Sequence, residues 1–424
     1  MILAHGTLYE DSQLSALRER LEADCLNTIA SQTIQAELVI SACDALARQV
    51  AQGRYDHVLA PFLTSFHIDP EQFQAALHLF RRESLEYKVA MELGPDPADT
   101  PLRHPGFAPI LRRRYPLGVL LHIAAGNVDG LPAYSVVEGL LAGNINILKL
   151  PSMDHGASLL LLHELVTLEP RLRDFVYVFD VPSTDLESLT EFARVADGVV
   201  VWGGDEAVKA ARQLASPDTR IIPWGHKLSF AYATPDVTDR DLAALARHIC
   251  LTRQLLCSSC QGIFLDTEDM DVVSAVAERF FHILQGENAK HPPADVGLRA
   301  KAALQLCSEE LEAHRTGRRV LRGGGVSVTT APDSELELSW LAGNCWVKPL
   351  PRGRIISALK RKKGYLQTVG LLCSPEERET LGTLLARAGL VRITEPGEMS
   401  RTIPGEAHDG TYPLREYTRV AEMV

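Results

Sequence analysis

The chemistry-bearing residues of this chain fall in a few short runs. Gln254-Leu255-Leu256-Cys257-Ser258-Ser259-Cys260-Gln261-Gly262 places a thiol among small residues, just ahead of the apolar Ile263-Phe264-Leu265. A thiolate on a loop at the edge of an α/β sheet lies where such folds bind ligands, and it can attack an acyl carbon to form a thioester. The plain alternative is a buried cysteine packed as a small hydrophobe. A third reading is a CxxC redox pair or half of a zinc site. One CxxC supplies two ligands, and neither a second CxxC nor an HxxxH is present, so no metal site is expected.

Glycine-rich turns form the second set. Ala124-Ala125-Gly126-Asn127-Val128-Asp129-Gly130 reads as a strand-to-helix turn. Glycines let a ligand approach the backbone and the helix start offers N–H groups. Asn127 can donate to a developing oxyanion, or simply cap the helix. Between Leu141 and Ser152, Gly143 closes a helix and a strand follows. Lys149 stands at that strand's carboxyl end, placed to meet a phosphate or ribose, or to be solvated. Trp202-Gly203-Gly204-Asp205 follows another strand and opens another helix, the logic of a pyrophosphate turn, although no GxGxxG occurs. Pro223-Trp224-Gly225-His226-Lys227-Leu228-Ser229 is the last glycine turn before Cys257. Two basic runs, Arg112–Arg114 and Lys360–Lys363, are solvated faces or receivers of nucleotide or coenzyme A phosphates.

The elements that must position these residues follow from periodicity. Residues 1–110 read as a helical N-terminal segment, with helical spacing through Ala36–Ala47 and Phe73–Leu93. A Pro-rich link spans Gly94 to Pro109. From Pro116 apolar runs alternate with amphipathic helices: strands at 119–123, 145–149, 176–179, 198–202 and 219–223, with helices between them. That alternation implies right-handed βαβ units and a parallel sheet covered on both faces. It continues with a helix over 239–256, a strand at 262–265, a helix over 270–284 and a polar loop over 285–293. Short strands follow at 319–321, 326–329 and 345–347. The expected fold is α/β, with two parallel-sheet domains behind the helical segment. The first domain is set at 111–250, the second, carrying the Cys257 loop, at 251–395, and a C-terminal segment at 396–424.

Composition removes several classes of function. The 424 residues include 43 Lys plus Arg and 54 Asp plus Glu, a formal charge of −11, so a nucleic-acid partner is disfavoured. Aromatic residues are 6%, too few for base-stacking platforms. No run reaches the roughly 18 apolar residues of a membrane span. No secretory signal is evident at Met1-Ile2-Leu3-Ala4-His5. Eight cysteines scattered through a long chain fit reduced thiols, and a cytoplasmic protein is expected.

Taken in order, the motifs resemble the aldehyde dehydrogenase superfamily, and within it the acyl-CoA reductase (LuxC-like) branch. The likeness runs from Glu92-Leu93-Gly94 to the C-terminus. It passes through His122 to Val128, Leu141 to Lys149, Val200 to Gly204, Gly225 to Ser229 and Cys257-Ser258-Ser259. By resemblance Cys257, with Gln254 three residues before it, is the nucleophile, and Cys260 stands where this branch usually has Pro. Asn127 matches the oxyanion-hole Asn, and Lys149 the cofactor-binding Lys. Ser152, Gly203, Gly204 and Gly225 are the further cofactor-binding candidates. The nucleotide domain is then 111–250 and the catalytic domain 251–395.

Departures from the superfamily are informative. Hydrolytic members carry a Glu that activates water for thioester cleavage, and here that position aligns with Pro223 or Trp224. General-base help is typically worth roughly 10²- to 10⁴-fold, so an acyl-enzyme here should resist water. His226 is the one residue of that turn able to take a proton. After Lys149, Pro151 and Ser152 replace a ribose-binding Glu, which favours NADPH over NADH. A second ribose-binding Glu has no clear counterpart near Asn344-Cys345-Trp346.

The resemblance therefore implies NADPH-dependent reduction of an acyl-CoA or carrier-bound acyl thioester to an aldehyde through a Cys257 acyl-enzyme. Alternatives are an acylating aldehyde dehydrogenase running oxidatively, or a non-catalytic subunit of an acyl-transfer complex. An acyltransferase or synthetase partner and homo-oligomers are further expectations.

Overall fold

Apolar strands that alternate with amphipathic helices can bury both faces only by stacking side by side, and the chain does so twice. The structure, a computed structural model, describes residues 1–57, 59, 77–94, 106, 110–124, 131–151, 156–291 and 295–423. The Asn127 turn, Ser152, most of the Pro-rich link and Pro292-Pro293 lie outside the described residues. Two compact units emerge: residues 1–225 with 403–424, and residues 226–402.

The first unit opens with β1 (Ile2–Ala4), β2 (Thr7–Tyr9), α1 (Leu14–Ser31), α2 (Ala36–Ala51) and α3 (Arg82–Leu93). After β3 (Leu111–Pro116) come β4 (Val119–Ile123), α4 (Leu131–Leu141), β5 (Ile145–Lys149), α5 (Ala157–Leu168) and β6 (Val176–Phe179). They are followed by α6 (Leu186–Val195), β7 (Gly198–Trp202), α7 (Asp205–Leu214) and β8 (Arg220–Trp224). The sheet order is β2-β1-β6-β5-β4-β7-β8, with β4 to β8 parallel. Residues 145–149 and 176–179 are buried throughout, as central parallel strands must be. The order reverses between β4 and β7, so the crevice at their carboxyl ends is where a doubly wound sheet takes ligands.

The second unit holds β9 (Leu228–Ala233), α8 (Asp239–Thr252), β10 (Cys260–Leu265), α9 (Met270–Asn288), α10 (Val296–Thr316), β11 (Arg319–Gly323) and β12 (Val326–Thr330). It continues with β13 (Asn344–Pro349), α11 (Ile355–Leu359), β14 (Leu366–Leu372), α12 (Pro375–Ala388) and β15 (Arg392–Thr394). Its sheet order is β11-β12-β13-β10-β9-β14-β15, parallel except for β11. The expected α/β architecture with two parallel sheets is present. The dividing point falls at 225/226 rather than at 250/251, because β9 pairs with β10 and β14 and takes α8 with it.

Three further differences have physical causes. The start of the chain is a β-hairpin whose β1 pairs antiparallel with β6, so it extends the first sheet ahead of the helices. α9 runs on to Asn288 through the polar stretch read as a loop. The C-terminal segment packs on the first unit: α13 (Pro413–Glu416) leads to β16 (Thr418–Met423), which pairs with β3. A buried ion cluster ties this in, with Lys88 paired to Glu92 and, at 2.8 Å, to Glu138. Glu92 also accepts from the Leu414 N–H at 2.8 Å. Among the described residues no helix is long and apolar enough to cross a membrane.

A buried polar network fixes α4 on β4 and β5. His122 Nε2 donates to Asn146 Oδ1 (3.0 Å) and its Nδ1 accepts from Ser135 Oγ (2.8 Å), which itself accepts from Trp202 Nε1 (3.0 Å). Gly139 of α4 makes room for this: a Cβ there would stand 1.8 Å from Asn146 Oδ1. Burial lowers the His122 pKa to about 4, against an opposing bond to Asn146, so the ring is neutral. Its unfolded pKa is near 6.5. The unfolded chain therefore binds a proton first, and the stability at stake is complete above that value and lost as pH falls toward 4, on the order of 3 kcal/mol. In acid titrations of unfolding free energy, His122→Gln should flatten the slope between these limits relative to wild type. An unchanged slope would contradict the neutral, buried role.

Candidate active site

In the second unit the loop that carries Cys257 is shaped by two consecutive left-handed residues. α8 ends at Thr252, and Arg253 (φ 51°) and Gln254 (φ 63°) turn the chain back four residues before the expected helix end. Non-glycine residues hold such angles only where the surroundings compensate, each at a cost of about 1 kcal/mol. Gln254 supplies the compensation. It is 2% exposed, and its Nε2 donates to the Cys260 carbonyl (3.0 Å) and Ser339 Oγ (3.0 Å) while Oε1 accepts from the Gly343 N–H (3.0 Å). Gln261 repeats the tie, accepting from Ser339 Oγ at 2.8 Å and donating to the Ser259 carbonyl at 3.2 Å. The Cys257 loop is thus clamped to the turn that precedes β13. The sequence points to Gln254, Ser259 and Cys260 but not to Ser339 and Gly343, which lie 85 and 89 residues beyond Gln254.

Around the thiol itself, Ser229 Oγ of β9 donates to the Cys257 carbonyl (2.7 Å) and accepts from the Thr368 N–H of β14 (3.1 Å). Ser259 Oγ accepts from the Leu256 N–H (3.1 Å), and Ser258 Oγ donates to Ser400 Oγ (2.8 Å). Cys257 is exposed, whereas Cys250, Cys260 and Cys345 are buried. Burial pushes the Cys250 thiol up to about 11, the Cys260 thiol up to about 12 and the Cys345 thiol well above the ordinary range. These three are inert at neutral pH, because the thiolate is the reactive form. Behind the clamp lies a cavity of about 90 Å³ lined by Ser339, Asn344, Cys345 and the charged Glu309, Arg318 and Glu337. That is below the several hundred Å³ of a cofactor or substrate pocket.

The first unit gathers the nucleotide-binding candidates at the carboxyl ends of its strands. Lys149 closes β5, is 5% exposed and donates from Nζ to Ser183 Oγ at 3.0 Å. Burial lowers its pKa, with Asp180 opposing. Gly203 and Gly204 follow β7, and Gly204 precedes the first turn of α7. A Cβ at Gly203 would press on Ala207 at 2.9 Å, whereas at Gly204 or Gly225 it would meet nothing within 4 Å. Open space at two glycines on the sheet edge that also carries Lys149 fits a nucleotide that approaches the backbone. Asn127 and Ser152 lie outside the described residues.

Of Pro223 and Trp224, where the resemblance puts the hydrolytic Glu, Trp224 is 4% exposed, with the His408 ring 4.9 Å from it and 5.1 Å from Trp202. Sequence reasoning missed His408, because only the packing of the C-terminal segment brings it to these strand ends. His226 belongs to the second unit, exposed and 6.5 Å from the Tyr365 ring.

A clamp of this kind has a measurable consequence. Gln254→Ala leaves the Gly343 N–H and Cys260 carbonyl without their buried partner, at a cost of about 2–3 kcal/mol. Hydrogen exchange at Leu255–Ser259 should accelerate in that variant while β9 and β14 keep their protection. Unchanged exchange in the loop would contradict the clamp.

Comparison with known proteins fits this arrangement. A family model described as acyl-CoA reductase (LuxC) matches residues 32–420. The long-chain acyl-protein thioester reductase 2 of Photobacterium leiognathi is 28% identical over 320 residues, 71% of this chain and 63% of that protein. The long-chain acyl-protein thioester reductase of Aliivibrio fischeri is 26% identical over 318 residues, covering 72% of this chain and again 63% of the relative. The chain thus spans about 63% of the length of these curated relatives. Among solved structures, aldehyde dehydrogenase 21 of Physcomitrella patens superposes with a TM-score of 0.73 at 12% identity over 98% of this chain and 90% of its own. That likeness shows an aldehyde dehydrogenase-like fold. With 389 of its 424 residues matched by one family model, the chain belongs to the acyl-CoA reductase (LuxC) family.

Proposed function

We propose that the protein reduces an acyl thioester to an aldehyde through an acyl group carried on Cys257, with NADPH as reductant. The observation that carries this reading is the contrast among the cysteines. One thiol is presented to solvent on a braced loop, and the nearby ones are buried with their pKa values raised. The curated relatives' names, acyl-protein thioester reductases, support the substrate class.

The Cys257 thiolate attacks the thioester carbonyl carbon. The tetrahedral intermediate collapses, the donor leaves as a thiolate that takes up a proton, and the acyl group remains on Cys257. Bound NADPH would supply a hydride to that acyl carbon, and the tetrahedral alkoxide so formed would collapse to the aldehyde by breaking its bond to sulfur, which returns the Cys257 thiolate. Lys149 would hold the nucleotide at the strand ends. The stretch after Lys149, buried Leu150 and Pro151, offers no carboxylate to repel a 2′-phosphate. By the resemblance, Pro223 or Trp224 stands where hydrolytic relatives place Glu, and neither can take a proton from water, which would preserve the acyl-enzyme for reduction.

Cys257→Ala should lower kcat by about 10³-fold or more, as loss of a covalent nucleophile does. Cys260→Ala should retain most activity and lose about 1 kcal/mol of stability, as removal of a small buried side chain does. Activity that survives Cys257→Ala but not Cys260→Ala overturns the assignment. With the wild type, NADPH should give the higher kcat/KM, and Lys149→Ala should raise its KM. Equal kcat/KM with NADH would remove the argument from the stretch after Lys149.

A further inference from the structure

The second sheet brings a run of cations to the same edge as the thiol. β9, β10 and β14 are parallel neighbours, and Leu366 opens β14 beside Leu228 while Cys260 opens β10 beside Ser229. The Cys257 loop enters β10 at these amino ends. The segment Lys360-Arg361-Lys362-Lys363-Gly364-Tyr365 enters β14 at the same ends, two strand spacings away, about 10 Å across the sheet. Lys227 joins it, donating from Nζ to the Gly364 carbonyl at 2.8 Å, and the Leu228 N–H donates to the Tyr365 carbonyl at 2.7 Å. Ser229 ties the two places together, since its one hydroxyl bonds both the Cys257 carbonyl and the Thr368 N–H.

This run contradicts the chain's overall balance of −11. Lys362 faces Glu335 at 3.8 Å, but Lys360, Arg361 and Lys363 are exposed and in no ion pair among the described residues. Three uncompensated cations on one short turn raise the local concentration of an anionic ligand against a negative background. Arg352, after β13, does not add to it, being taken up by Asp266 and Glu377.

We propose that Lys360, Arg361 and Lys363 form a subsite for the phosphate of a phosphopantetheine handle, the group on which the acyl thioester reaches Cys257. The inference rests on the reductase reading above. The sulfur of such a handle lies at one end of an extended arm and its phosphate at the other. A thiol and a cationic turn on one sheet edge match those two ends. The site recognises the donor and takes no part in bond making.

The test compares two donors of one acyl group in steady-state reduction: the coenzyme A thioester, and the N-acetylcysteamine thioester, which keeps the thioester and the tip of the arm but has no phosphate. In the triple variant Lys360→Gln, Arg361→Gln, Lys363→Gln the preference for the coenzyme A thioester should fall about tenfold, through KM, as three solvent-exposed charge contacts allow. Added salt should erode the wild-type preference in the same way. A third arm uses the acyl group on a carrier protein. A parallel loss there assigns the site to the phosphate common to both donors, and a loss with coenzyme A alone assigns it to the phosphates of the adenosine end. An unchanged preference, or an equal loss with both small thioesters, overturns the subsite while the reductase reading stands. Failure of the wild type to reduce either thioester overturns the reductase reading and the subsite with it.

Discussion

The Gln254 carboxamide is buried with both its nitrogen and its oxygen bonded, and that arrangement decides where the Cys257 loop can go. Its bonds to Cys260, Ser339 and Gly343 join the end of α8, the start of β10 and the turn ahead of β13. Two left-handed residues in a row would not hold without such a tie. The clamp takes up the Gln254 and Gln261 side chains, and Cys257 is exposed on the loop they hold. Flanking thiols sink into the core, where burial keeps them protonated. Geometry thus separates Cys257 from its buried neighbours, which have the same intrinsic chemistry.

The two units carry different candidate features. The first has a reversal of strand order, a lysine at a strand's carboxyl end and glycines with open space, the features of a nucleotide site. The second presents its thiol at the amino ends of its strands, with a neutral serine rather than a carboxylate holding the loop's backbone.

Much of this was legible in the chain. Strands buried on both faces read as continuous apolar runs, so β4 to β8 were visible within a residue or so of their bounds. The Cys257 loop was visible through Gln254 and its small neighbours. What escaped depended on contacts distant in sequence. Nothing in Ile2–Ala4 says that it will pair with β6 more than 170 residues on. The C-terminal segment joins the first unit through Glu92, Leu414 and β16, and only that packing sets His408 against Trp202 and Trp224. The strand 228–233 was not read from the sequence, where Pro223 to Ser229 stood as a glycine turn; its register with β10 and β14 places it in the second unit.

The central claim is that Cys257 carries the acyl group between donor and reductant. Its most direct test is to mix the protein with an acyl thioester in the absence of cofactor, map acylated peptides by mass spectrometry, and then add NADPH to the isolated acyl-protein. The account predicts one adduct, on Cys257, that persists in buffer and is converted to aldehyde when NADPH arrives. No adduct, an adduct on another of the eight cysteines, or release as free acid before NADPH is added would contradict it.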